Sequence, residues 1–143
     1  MVNFINMTVI FNSMVNQALL HPQEVEVYYI IPTIRRYLAI CMKEHGLKQR
    51  EIAKILNIKE AAVSQYISNK RGSKLKFSRF IEDSIRESSS KIKDNFSLIT
   101  ETQRILKLIR ESGELCSFHK KLSPVPTDCN PLKTGCLPYH ESH

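Results

Sequence analysis

Four side chains near the carboxyl end have the types and spacing to hold a metal ion: Cys116, His119, Cys129 and Cys136. They form a C-x2-H, x9, C-x6-C arrangement within 21 residues, and three thiolates with one imidazole complete a tetrahedral shell. The two-residue gap lets Cys116 and His119 converge on one ion, whereas the C-x6-C spacing is looser, so that His140 or His143 could take a place. Pro124, Pro126, Pro131, Pro138 and Gly135 forbid a long helix here. Such a segment buries little by itself, and ligation would supply folding free energy on the order of 10 kcal/mol for structural zinc. Zinc suits a closed Cys3His set; an iron-sulfur cluster on the same thiolates would make the tail a redox or iron sensor. The third reading is that these cysteines are incidental or pair under oxidation. Cys41 lies on an apolar stripe and reads as a small buried hydrophobe.

A second constellation sits in the middle of the chain. Residues 59 to 68, placed at 100° intervals, separate Ala62, Val63, Tyr66 and Ile67 from Ala61, Ser64, Gln65 and Ser68. The second set is short or amide-bearing, which lets a helix approach base edges. Gln65 can pair bidentately with adenine, and Ala61 can touch a thymine methyl. Gln49, Lys59, Lys70 and Arg71 are placed to reach phosphates, and Asn69 is grouped with them. Glu60 either accepts from a cytosine amine or favours the positive end of its own helix.

The distribution of charge points the same way. Residues 33 to 76 carry eleven Lys and Arg against Glu44, Glu51 and Glu60, a net +8, while the other 99 residues sum to −1. A positive field confined to one third of the chain suits a polyanion better than dispersed solubilising charge does. No run approaches the roughly 20 consecutive apolar residues of a membrane span, and the amino end lacks a basic leader region. A cytoplasmic protein with reduced or metal-bound cysteines, and no membrane partner, is the expectation.

The elements that must position these groups read as four blocks. Residues 1–22 form a weakly structured leader. Residues 23–76 hold the basic core, with Val25, Val27 and Tyr29 alternating like a strand although helix is preferred, then a helix from near Pro32 to Gly46 with Ile34, Leu38, Cys41 and Met42 on its stripe. A helix from Lys48 to Leu56 follows, and Asn57 can adopt the left-handed backbone of a sharp turn. Residues 77–113 are a helical extension that begins in a polar region and ends in a helix from Phe96 to Glu111. Its stripe of Leu98, Ile105, Leu106 and Ile109 either joins two protomers or packs on its own chain. Residues 114–143 are the Cys/His tail.

The run Leu47-Lys48-Gln49-Arg50-Glu51-Ile52-Ala53-Lys54-Ile55-Leu56-Asn57-Ile58-Lys59-Glu60-Ala61-Ala62-Val63-Ser64-Gln65-Tyr66-Ile67 resembles the lambda-repressor/Cro-like helix-turn-helix family. It departs mainly at Asn57, where that family usually has Gly. With Pro32-Thr33-Ile34-Arg35-Arg36 ahead of the motif and Ala62-Val63-Ser64-Gln65-Tyr66-Ile67-Ser68-Asn69-Lys70-Arg71-Gly72 within and after it, the chain over about residues 22 to 72 also looks like archaeal transcriptional regulators, some of which carry a thiamine-phosphate synthase module that this chain is too short to hold. The resemblance implies a helix-turn-helix core of about four to five helices, and with the additional C-terminal helix and the small Cys/His loop region read above the expected fold is all-α. It implies a third helix in the major groove of double-stranded DNA, and a homodimer that reads two half-sites. The expected function is a sequence-specific transcriptional regulator, not an enzyme, with zinc or an iron-sulfur cluster in its tail. The competing classes are a redox-sensing regulator, a protein-binding adaptor for an acidic partner, and a small zinc enzyme using Glu114 as base.

Overall fold

The computed structural model describes residues 18–136, so the expected leader as far as residue 17, and the substitute ligands His140 and His143, lie outside the described residues. Among the described residues the chain is all-helical, without a strand. Helix begins at Pro22, well before Pro32. Pro22–Val25 (α1), a π-helical turn over Glu26–Ile30 and Ile31–Glu44 (α2) follow one another without a break. The strand-like alternation around Val27 is therefore helical: Val25, Glu26 and Ile30 are buried while Val27 and Tyr28 face out. The wide turn has a cause in Pro32, which lacks an N–H and whose ring would strike the carbonyl four residues back. Just upstream, the Ile31 N–H reaches the Glu26 carbonyl instead of the usual i−4 partner.

Helix α2 is the central element, buried through Ile34, Leu38, Ala39, Cys41 and Met42. It packs against α3 (Gln49–Leu56), α4 (Glu60–Ile67) and α5 (Arg79–Ser89). Gly46 at φ 90° ends it, and the Leu47 N–H returns to the Met42 carbonyl at 3.2 Å. Helix α5 occupies what the sequence presents as a polar region. Ser78 starts it by accepting from the Ile81 N–H at 3.4 Å, and Ile81 and Ile85 bury its inner face. Its buried Ser88 donates to Glu101 at 2.9 Å and accepts from Arg104 at 2.6 Å. Those partners come from α6 (Asn95–Glu111), and they explain how Ser88 lies inside.

Helix α6 starts at Asp94, whose carboxylate accepts from the Ser97 N–H at 2.7 Å. Its Ile105, Leu106 and Ile109 are buried within the chain, so this stripe packs on the protein's own core, the second of the two uses expected for it. Gly113 then leads into α7 (Glu114–Leu122), a short helix in a tail read as a Cys/His loop region; Leu115 and Phe118 bury its inner face. Only after Ser123 do the prolines impose loops, interrupted by the short α8 (Pro131–Thr134). One apolar cluster runs from Val25 to Phe118, across the boundaries read at residues 76 and 113. Among the described residues no helix is long and apolar enough to cross a membrane.

Candidate functional site

The two short helices α3 and α4 are joined by Asn57, Ile58 and Lys59, and the geometry of that turn follows from its residues. Asn57 takes φ 52°, ψ 46°, the left-handed conformation, and lets the Ile58 N–H return to the Ala53 carbonyl at 3.0 Å. Ala53, buried and small, leaves room for the helices to approach. Helix α4 ends by the same device: Asn69 at φ 63° brings the Lys70 N–H to the Gln65 carbonyl at 2.9 Å. Val63 and Tyr66 are fully buried and fix the rotation of α4 about its axis. As a result Ala61, Ser64, Gln65 and Ser68 all face solvent on one side.

Around that face lie cations without acidic partners. The ion pairs among the described residues are Arg86–Glu44, Lys91–Glu87, Arg104–Glu101, Lys107–Glu111 and Arg110–Glu26, and none involves the eleven cations of residues 33–76. Two of the three acids in that segment are engaged elsewhere. Glu44 holds Arg86 at 3.0 Å, and Glu51 accepts from the Lys48 N–H at 2.8 Å. Lys59, Glu60, Lys70 and Arg71 are exposed, and Gln49 is half-buried at the start of α3. Asn69 has a structural duty besides its turn: its side-chain oxygen accepts from Arg36 at 2.7 Å.

The fold adds a cleft that no local sequence pattern marks. Beside the end of α4, a cavity of about 430 Å³ is lined by Tyr28, Tyr29, Arg35, Lys70, Arg71 and Lys74, among others. Lys74 lies 5.7 Å from the Tyr29 ring centroid, and Arg71 lies 5.4 Å from that of Tyr66, so the aromatic faces hold both cations in place. Arg35 and Lys74 were visible only as members of a charge cluster, because the loop that carries Lys74 closes on α2 through a contact between residues far apart in sequence.

In a second cavity, of about 360 Å³, Cys116, His119, Cys129 and Cys136 all form part of the lining. Cys116 and His119 share a face of α7, three residues apart on a helix. The other wall is the approach to α1, including Leu20 and His21. Burial pushes the Cys116 thiol up, and the neighbouring Cys136 and Cys129 push it further in the same direction. Among the described residues no three His, Cys, Asp or Glu side chains stand close enough to grip an ion as they are. Cys41 lies apart in the core, its thiol likewise pushed up by burial. Glu114 is occupied elsewhere, since its two oxygens accept from the Ser78 N–H and hydroxyl, both at 2.8 Å.

Comparison of the chain with protein-family models, with curated proteins and with solved structures finds no match.

Proposed function

We propose that the protein is a sequence-specific regulator of transcription that inserts α4 into the major groove of double-stranded DNA. One observation carries this reading: α4 turns a small, hydrogen-bonding face outward while Val63 and Tyr66 anchor its other side in the core. Shape, chemistry and rigidity then agree, because base readout needs a slim helix surface held at a fixed rotation. The unpaired cations supply the electrostatic part. Lys59 at the head of α4, with Lys70, Arg71, Arg35 and Lys74 at its foot, would track phosphates and set the register. The left-handed turn at Asn57 supports treating α3 and α4 as the helix-turn-helix that the sequence resembles. Two copies would then read half-sites about 34 Å apart, and their pairing surface lies outside the Ile105 and Ile109 stripe, which is used within the chain.

Selection of a binding site from randomised duplexes, followed by titration of variants, tests the proposal. Gln65→Ala should relax preference at one base pair by about 1–3 kcal/mol, whereas Lys70→Gln should weaken all duplexes alike and reduce the salt dependence by about one counterion. Recognition of the selected duplex that survives Ser64→Glu with Gln65→Glu overturns it.

A further inference from the structure

We propose that Cys116, Cys129 and Cys136, with Nδ1 of His119, bind one zinc ion, and that the ion clasps the tail against the amino-terminal approach to α1. The inference stands apart from the DNA-binding reading, because it concerns another cavity and different residues.

Three observations support it. The four side chains, spread over 21 residues of chain, line a single cavity. The His119 ring is held at its far nitrogen, since Nε2 lies 2.5 Å from the Leu20 carbonyl oxygen. A carbonyl only accepts, so Nε2 is the donor, which leaves Nδ1 for the ion. A backbone carbonyl holding the far nitrogen is the usual support of a metal-bound imidazole. Finally, residues 124–136 contain no buried residue, so the tail has no core of its own to order it against α7. A cross-link through a metal supplies what apolar burial does not.

The thiols must draw together for this, since they do not grip an ion in their present positions. The movable side is the tail. Its short α8 is held by local bonds, Asn130 Oδ1 accepting from the Leu132 N–H at 2.9 Å and the Thr134 hydroxyl meeting Cys136 Sγ at 3.2 Å. The opposite side is fixed. Cys116 and His119 ride on α7, Leu115 and Phe118 root that helix in the core, and Ser123 ties its end to the segment ahead of α1 by accepting from the Leu20 N–H at 2.8 Å. Each thiol releases its proton to solvent as its sulfur takes up the ion, and three thiolates with one neutral imidazole leave the fourfold shell closed.

The full-length chain, reduced and stripped of metal, is titrated with Co²⁺ and then Zn²⁺. One equivalent of Co²⁺ should give the visible bands of a tetrahedral site and a thiolate-to-cobalt charge-transfer band, and Zn²⁺ should abolish both. Serine at Cys116, Cys129 or Cys136 should weaken binding more than about 100-fold, a loss that even supporting residues can approach. Cys41→Ser should leave cobalt and zinc binding unchanged. Helix content by circular dichroism identifies any variant that fails to fold. For such a variant, metal-dependent protection of residues 123–136 from protease in the unaltered chain is the second readout. Octahedral or non-stoichiometric cobalt, unchanged binding in folded Cys129→Ser and Cys136→Ser variants, or a brown iron-sulfide form that zinc cannot displace overturns the assignment. DNA titration of the same variants separates this outcome from failure of the α4 reading.

Discussion

At the scale of single residues, backbone conformations carry much of the architecture. Asn57 and Asn69 take left-handed conformations that asparagine tolerates among non-glycine residues, and each closes one end of the pair α3 and α4. Gly72 is more demanding. It sits at φ +70°, and a Cβ there would lie 2.4 Å from the Pro32 carbonyl oxygen and 2.9 Å from its carbon. Gly46 has a similar φ of +90° but open space around it. Gly72→Ala is therefore expected to cost about 2 kcal/mol or more by urea unfolding, and Gly46→Ala about 1 kcal/mol. Equal costs would mean that the loop after α4 shifts freely off α2. The left-handed turn was legible at Asn57 because it depends on one residue type in a local context. The need for Gly at position 72 was not, since it arises from Pro32, forty residues away.

At the scale of elements, helices with a clean apolar period were readable and those held by polar partners were not. Helix α6 was expected from Phe96 to Glu111 and spans Asn95–Glu111. Helix α5 was hidden by its serines, of which Ser88 is buried against Glu101 and Arg104 of α6. Helix α7 was hidden by the prolines that follow it, although Leu115 and Phe118, three apart, marked its buried face. Asp94 at the start of α6 offers a test by pH. The Ser97 N–H, and then its hydroxyl, hold the Asp94 carboxyl below the usual carboxylate range. A lowered folded value means that the stabilisation is present above the ordinary carboxylate pKa and is lost as pH falls through the folded one. Asp94→Asn keeps a capping oxygen but does not titrate. The unaltered protein should thus lose stability relative to this variant as pH falls below about 4, measured by urea midpoints. Parallel acid dependence of the two would show that the cap does not carry the effect.

At the scale of the whole molecule, charge is sorted by region. Outside residues 33–76 acids and bases meet one another, and inside them the cations are left to face solvent or aromatic rings. The Arg110 guanidinium forms a fork with Glu26, Nε to Oε1 at 2.6 Å and Nη2 to Oε2 at 2.8 Å, and joins α6 to the π-helical turn across 84 positions of sequence. Glu26 is only 8% exposed. Glu26→Gln should destabilise the fold by about 1–3 kcal/mol in equilibrium unfolding, because it leaves the guanidinium with a weaker partner in a partly dry site. A loss below about 0.5 kcal/mol would place that ion pair with ordinary surface pairs.

The sequence by itself determined the all-helical class, the outward face of α4, the turn at Asn57 and the concentration of charge, since each follows from periodicity, local backbone preference or simple counting. Tertiary structure alone decided that the α6 stripe is spent inside the chain and that Lys74 joins Arg71 at one cleft. It also brought Leu20 to His119 across 99 positions. Helical spacing encodes neighbours three and four residues apart, whereas contacts between distant segments depend on which buried faces find one another, and no local pattern specifies that choice.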